Sequence, residues 1–316
     1  MITLRALSFG LMLHVAAMAG AQPCSTFGAE GHWYLALRVP GGITWPNADA
    51  MALATGGNLA SITSSAENQF VFSLIDKPEI WVGGAFVAGP WIGGIQPPGS
   101  PEPLGGWTWV SGDPFVFNAW TPGEPNNGGG LRQEDHICFW SISAGRSPTW
   151  NDYPWWANTP GLVIEWNADP RPVFVPGEGT TTVICAGVDH LINAPMASTA
   201  PAVFRWRKNG APLTNSTRIS GAESSTLSIA GVRLSDEGVY ECVATHACGE
   251  AISPPTALTV CIADFNCSEG TPDDADVTAF FEAWNAGDPL ADLNESEGTP
   301  DDADITLFFA RWNQGC

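Results

Sequence analysis

Apolar positions along this 316-residue chain follow four successive patterns. The first is a largely apolar run, Ala6 to Ala17, preceded by Arg5 and closed by the small residues Ala17-Met18-Ala19-Gly20-Ala21. It is too short to span a bilayer and ends in an A-x-A cleavage signature, so residues 1–21 read as a secretory signal peptide. No later stretch approaches spanning length, which predicts no transmembrane span once the signal is removed. From 27 to 167, short apolar runs such as His32–Val39, Gly106–Val110 and Leu162–Trp166 read as strands between Gly- and Pro-rich turns. Trp45–Thr55 has helical spacing and stops at Gly56-Gly57. Asn167-Ala168-Asp169-Pro170-Arg171-Pro172 has the composition of a linker. From 171 to 260, alternating runs recur at regular intervals: Thr180–Ala186, Ala202–Arg207, Thr226–Ile229, Gly238–Ala244 and Thr256–Val260. Short strands so spaced predict a sandwich.

The fourth pattern, 261–316, is an internal repeat. Asp264-Phe265-Asn266-Cys267 and Asp292-Leu293-Asn294-Glu295 open two copies 28 residues apart, and residues 268–276 are identical to 296–304. Each copy leads into aromatic positions, Phe280, Phe281 and Trp284 in the first and Phe308, Phe309 and Trp312 in the second. Their spacing places the rings on one helical face.

Charge changes this picture in one direction. The formal net charge is −21, which argues against nucleic acid and anionic membranes as partners. From Ile262 onward there are 13 acidic residues against one Arg, interleaved with aromatics, a composition suited to folding around cations. The eight cysteines all lie beyond the signal and none forms a Cys-x-x-Cys pair, so disulfides are expected rather than a zinc site.

Candidate chemistry concentrates in Trp120-Thr121-Pro122-Gly123-Glu124-Pro125-Asn126, Glu134-Asp135 and Trp150-Asn151-Asp152. Glu124, Asn126, Glu134, Asn151 and Asp152 supply five oxygen-bearing side chains from loops flanked by Trp-rich strands. Ca²⁺ takes six to eight such ligands, leaving positions open. His136, beside Ile137 and Phe139 on a strand-like run, reads as structural, and no nucleophile–base motif is present, so no enzyme is indicated.

Those motifs, with Gly56-Gly57-Asn58-Leu59-Ala60-Ser61-Ile62, Trp81-Val82-Gly83-Gly84 and Gly106-Trp107-Thr108-Trp109, resemble the C-type lectin family over roughly 140 residues. The resemblance implies an α+β fold with Trp81-Val82-Gly83-Gly84 as the core strand, a cis Glu124–Pro125 bond, and sugar hydroxyls completing the calcium shell. The Glu-Pro-Asn order implies mannose, glucose, N-acetylglucosamine or fucose rather than galactose. Phe86 to Gly105 then reads as an inserted surface loop, and the glycine-rich spacer 127–133 as slightly long. Asp135 and Asn127 could contribute to a second calcium site, which is left unassigned. Ala52, His136, a residue near Trp155, and Ile164 stand where the family's cysteines are expected. Cys138 is either a small buried hydrophobe or a partner of Cys24.

In the second module, Cys185, Trp206 and Asp236-Glu237-Gly238-Val239-Tyr240-Glu241-Cys242 resemble an immunoglobulin domain, which implies an all-β sandwich, a Cys185–Cys242 bridge and a tyrosine corner. The repeat resembles the dockerin calcium repeat of the bacterial type ending in Gly-Cys, a small all-α EF-hand-like pair. This resemblance implies Ca²⁺ ligands at Asp264, Asn266, Ser268 and Asp276, and at Asp292, Asn294, Ser296 and Asp304, with Asp273, Asp274, Asp301 and Asp302 as supplements. Cys261 and Cys316 are placed to clasp the two ends.

The expectation is therefore a multidomain protein: signal 1–21, C-type-lectin-like domain 27–167, immunoglobulin-like domain 171–260, dockerin-type repeats 261–316. It would be a secreted or cell-surface, calcium-dependent carbohydrate-binding protein, held through its tail by a cohesin-like or surface partner. Two rivals remain: an adhesin whose lectin-like fold binds a protein, and an enzyme, a glycan hydrolase using a dockerin.

Overall fold

The computed structural model describes residues 24–27, 31–83, 87–128, 134–142, 145–198, 201–268, 272–296 and 299–315. The expected signal peptide, residues 129–133 of the spacer, and Cys316 lie outside the described residues. The chain divides into two compact units, one built on Met1–Pro172 with Ser198–Ala202 and Thr245–Glu250, the other on Val173–Ala197, Val203–Ala244 and Ala251–Cys316.

Strands of the first unit are β1 (Ser25–Phe27), β2 (His32–Ile43), β3 (Asn58–Leu59), β4 (Val82–Gly83), β5 (Val87–Ile95), β6 (Thr108–Trp109), β7 (His136–Ser141), β8 (Thr149–Tyr153) and β9 (Thr159–Trp166). They form one sheet ordered β1-β2-β9-β5-β7-β8, with β3 on β9 and β4 and β6 on β5. Helices α1 (Trp45–Ala54) and α2 (Ser65–Ile75) accompany it. Helix α1 starts with a Pro in its first turn and gives way to Gly56 at φ 74°, a left-handed position that glycine takes without strain. Helix α2 was not anticipated from the sequence, although Ser64-Ser65-Ala66-Glu67 carries a capping signal; Ser64 Oγ accepts from the Glu67 amide at 3.2 Å.

The core strand differs from the expected one. Trp91-Ile92-Gly93-Gly94, not Trp81-Val82-Gly83-Gly84, runs through the centre of the sheet, with Trp91 opposite Leu162 of β9 and Cys138 of β7. Trp91 and Ile92 are fully buried, whereas Val82 is 53% exposed. Val87–Ile95 is thus no surface loop but a nine-residue strand buried for all but its last position, whereas 96–105 is the expected surface loop, with Pro97, Pro98, Gly99, Pro101, Glu102 and Leu104 exposed. Phe86 lies outside the described residues. The glycines of this copy are needed where they stand. A Cβ at Gly93 would meet the Leu59 carbonyl oxygen at 2.5 Å, and one at Gly94 would meet Ile137 at 2.2 Å. Two glycines let neighbouring elements close on β5.

The remaining strands, which belong to the second unit apart from the Thr245–Glu250 portion of β16 and β17, are β10 (Thr180–Cys185), β11 (His190–Asn193), β12 (Val203–Lys208), β13 (Ala211–Pro212), β14 (Ile219–Ser220), β15 (Thr226–Ile229), β16 (Gly238–His246), β17 (Gly249–Ile252) and β18 (Thr256–Cys261). One sheet is ordered β10-β18-β16-β12-β13 with β17 on β16, and a second is β11-β15-β14. Trp206, Tyr240, Leu227 and Ile229 are buried between alternating outward residues, the pattern of an immunoglobulin-like sandwich. Tyr240 donates its hydroxyl to the Asp236 carbonyl at 2.7 Å, which is the tyrosine corner. The helices α3 (Asp274–Ala286) and α4 (Asp302–Trp312) follow, and Phe280 stacks on Phe308 with centroids 4.3 Å apart, both fully buried.

The expected Cys185–Cys242 bridge is not formed. Cys185 is bonded to Cys267, and Cys242 is a buried free thiol, raised to about 12 by burial. The reason is strand assignment. Cys185 ends β10, which pairs in parallel with β18, while the strand paired with β15 places Ile192, 3% exposed, in the interior. An isoleucine stands on the strand where a sandwich cysteine would be needed. Cys261 is disulfide-bonded, and its expected partner Cys316 lies outside the described residues. In the first unit Cys24 is bonded to Cys248, and Cys138 is a buried free thiol, so of its two readings it takes the small buried hydrophobe. Alkylation in denaturant without reductant, followed by peptide mass spectrometry, is expected to label Cys138 and Cys242 and to leave Cys185 and Cys267 linked. A Cys185–Cys242 peptide would contradict this pairing.

Candidate functional site

Strands β7 and β8 pair with Ile137 opposite Asp152 and Cys138 opposite Asn151. The loop that carries Glu124 is laid along β8: Trp120 bridges Trp150, the Thr121 amide donates to the Trp150 carbonyl at 2.8 Å, and the Trp150 amide donates to the Ala119 carbonyl at 2.8 Å. A turn follows, closed by the Glu124 amide on the Thr121 carbonyl at 2.9 Å, with Gly123 at φ 98°. The Glu124–Pro125 peptide is cis. Asp152, fully buried, accepts from the amides of Asn126 at 3.1 Å and Asn127 at 2.7 Å, which fastens the loop to the strand. Asn127 Oδ1 in turn accepts from the Glu134 amide at 3.3 Å. A Cβ at Gly128 would lie 2.4 Å from Asn126 Oδ1 and 3.1 Å from Glu134 Oε2, so these two oxygens flank Gly128 and a larger residue there would displace them.

Four of the five expected residues, Glu124, Asn126, Glu134 and Asp152, are thereby brought together. Burial, then Asp152 and Glu134, push the Glu124 carboxyl up to about 7. Burial and Asp152 raise Glu134, and burial raises Asp152 against the opposing pull of the Asn127 and Asn126 amides. Asn151 enters through its place beside Asp152 on β8, 5% exposed. Two oxygens decide what the site can do. Glu124 Oε2 and Asn151 Oδ1 are buried and accept no hydrogen bond. An unpaired buried acceptor costs roughly 1–3 kcal/mol, more when charged, and a hard cation is the partner such oxygens fit.

A second cluster, which sequence reasoning missed, behaves differently. Ligand atoms of His32, Glu67 and Glu165 lie within 4.8 Å of one another. Yet each carboxylate oxygen already has a partner. Glu165 Oε2 accepts from the Ser61 amide at 2.7 Å, and its Oε1 faces His32 Nδ1 at 2.5 Å and accepts from the Tyr34 hydroxyl at 3.1 Å. Glu67 Oε1 accepts from the Tyr34 hydroxyl at 2.5 Å, and its Oε2 from the Thr63 amide and hydroxyl at 2.7 and 2.9 Å. This network ties α2 to β2 and β9. The only signal for it in sequence was two acids in otherwise apolar segments.

The repeats of the second unit show a third arrangement. Asp276 accepts from the Asn266 and Asp273 amides at 3.0 and 2.9 Å, and Asp304 from the Asn294 and Asp301 amides at 2.9 and 2.8 Å; both acids are fully buried. Asp264 and Asp292 accept from the Ser268 and Ser296 amides at 2.9 and 3.0 Å. The expected ligands therefore fold into two matching loops. Asp273 and Asp301, expected as supplementary ligands, cap α3 and α4 by accepting from the Ala275 and Ala303 amides.

Comparison with known proteins agrees with this division. Residues 171–246 match the family model described as an immunoglobulin domain. Ladderlectin of Oncorhynchus mykiss is 33% identical over 126 residues, which is 40% of this chain and 59% of that protein. C-type lectin domain family 4 member K of Homo sapiens is 30% identical over 129 residues, 40% of this chain and 33% of the relative. Type-2 ice-structuring protein of Hemitripterus americanus is 28% identical over 112 residues, 35% of this chain and 56% of that protein. This chain has C-type lectin homologues and an immunoglobulin-like domain. It spans between a third and about three fifths of these relatives' lengths. Among the described residues no helix is long and apolar enough to cross a membrane.

Proposed function

We propose that this is a calcium-dependent carbohydrate-binding protein whose head, residues 27–167, holds Ca²⁺ through Glu124, Asn126, Glu134, Asn151 and Asp152. The observation that supports this reading most is the pair of buried, unpartnered acceptors, Glu124 Oε2 and Asn151 Oδ1, beside carboxylates that burial and mutual repulsion disfavour. A bound Ca²⁺ would neutralise that charge and offer open positions to vicinal sugar hydroxyls. The chain's own contribution is to hold the ligand set: Asp152 pins the Asn126–Asn127 backbone, and Gly128 leaves room for Asn126 Oδ1 and Glu134 Oε2. Glu-Pro-Asn at 124–126 favours mannose-, glucose- or fucose-type sugars. The immunoglobulin-like domain, residues 171–260, serves as a spacer. The dockerin-type tail, 261–316, binds Ca²⁺ through Asp264, Asn266, Ser268 and Asp276 and through Asp292, Asn294, Ser296 and Asp304. It attaches the secreted protein to a surface or a cohesin-like partner.

Exchanging the acid and amide around Pro125 tests the specificity. Glu124→Gln with Asn126→Asp rearranges the donors and acceptors offered to the sugar while keeping side-chain size. Competition binding is expected to show mannose affinity falling roughly tenfold or more, with a gain for galactose. An unchanged mannose preference would place sugar recognition elsewhere.

A further inference from the structure

Beyond the candidate calcium cluster, the turn between β8 and β9 exposes two large aromatic side chains. Pro154-Trp155-Trp156-Ala157 forms the tight turn between β8 and β9, closed by the Ala157 amide on the Pro154 carbonyl at 2.9 Å. The Trp155 carbonyl accepts from the Trp45 amide at 3.1 Å, so the turn backbone is anchored to the start of α1. Turn corners favour Gly, Pro, Asn, Asp and Ser, each for a backbone reason that tryptophan does not supply. Trp155 and Trp156 are nonetheless 42% and 48% exposed, and they are the two exposed tryptophans among the described residues. Trp45, Trp81, Trp91, Trp107, Trp109, Trp150 and Trp166 are all buried, so the fold does use tryptophan for packing elsewhere. Exposing two large rings on a fixed turn costs hydrophobic free energy that a ligand would recover.

The position of the turn names the ligand. Asp152 is three residues before Trp155 and four before Trp156. A chain of that length spans at most about 11 and 14 Å between Cα atoms. The turn is thus continuous with the candidate calcium site, within reach of the second and third rings of a linear oligosaccharide. Indole faces stack on the apolar C–H faces of pyranose rings, while the indole N–H can bond a hydroxyl.

We infer that Trp155 and Trp156 form an extension subsite that binds the sugar rings following the one on calcium, selecting oligosaccharides over monosaccharides. This rests on the calcium–sugar reading of the head. The test uses the full chain with Ca²⁺ and two probes, methyl α-mannoside and a linear mannotriose, in Trp155→Ala, Trp156→Ala and the double variant. Wild type is expected to prefer the trisaccharide, with quenching of tryptophan fluorescence. The double variant is expected to lose about five- to tenfold in trisaccharide affinity with methyl α-mannoside affinity within twofold of wild type. A trisaccharide preference unchanged in the double variant would overturn the subsite, as would a wild type with no such preference. Parallel loss of both probes would also overturn it, showing that the turn acts on the calcium loop. Binding of neither probe by wild type would overturn the underlying sugar reading and the subsite with it.

Discussion

Replacing Asn151 by Ala, or Glu124 by Ala, is expected to weaken calcium binding at the head by roughly 100-fold or more, since even outer-shell changes at metal sites cost ten- to a hundredfold. Each substitution removes one of the two buried oxygens that accept nothing from the protein. Loss of either oxygen removes no hydrogen bond from the fold. Asn151 Oδ1 and Glu124 Oε2 hold no internal hydrogen bond, whereas the neighbouring Asp152 receives two backbone amides. Asp152→Ala should differ in kind, lowering stability as well as affinity, because it frees the 126–127 backbone. Calcium titration calorimetry beside a thermal melt separates these cases. Near-wild-type calcium affinity in Asn151→Ala would show that its oxygen is no ligand.

The second large effect is expected in the tail. Between Ile262 and Cys316 thirteen acids face one Arg, and Asp276 and Asp304 are wholly buried. Their oxygens accept backbone amides, which partly offset the charge but do not cancel it. Ca²⁺ in each loop would stabilise the folded form by mass action, about 2.7 kcal/mol at a hundred times the dissociation constant. For a unit of this size that raises the melting temperature by roughly 5–10 °C per site. The full chain is the right material, because Cys267, inside the first loop, is bonded to Cys185, and Glu295, in the second, accepts from the Ser235 amide at 2.8 Å. Scanning calorimetry with calcium and with chelator should show this shift, and the Asp276→Asn, Asp304→Asn double variant should lose it while the head keeps its own. Equal melting of the second unit in calcium and chelator would contradict calcium binding by the tail.

Residue chemistry was more legible in the sequence than register. The five oxygen-bearing side chains of the head stand out because their types and order carry the argument, and Asp152 holds the backbone of the loop that carries Asn126. The core strand was misplaced because Trp81-Val82-Gly83-Gly84 and Trp91-Ile92-Gly93-Gly94 carry almost the same pattern ten residues apart. Only the close approach of Leu59 and Ile137 to Gly93 and Gly94 separates them, and that is a tertiary fact. Cys185 misled for the opposite reason. A cysteine is a conspicuous marker, but the sandwich needs a residue on the strand paired with β15, and Ile192 supplies it with an ordinary apolar side chain. Ile192 lies 14 residues before Trp206 and Cys185 lies 21 before it, so strand spacing favours Ile192. The His32–Glu67–Glu165 network was illegible because its members come from three distant segments, each unremarkable alone.

The central claim, that the head binds carbohydrate through calcium, is tested most directly by a glycan array probed with the full chain in calcium and again in chelator. The account predicts binding to mannose-, glucose- or fucose-type glycans in calcium and its disappearance in chelator. Binding of equal strength in chelator would contradict the coordination mechanism, and silence across the array from protein that still takes up calcium would favour a protein ligand for the head.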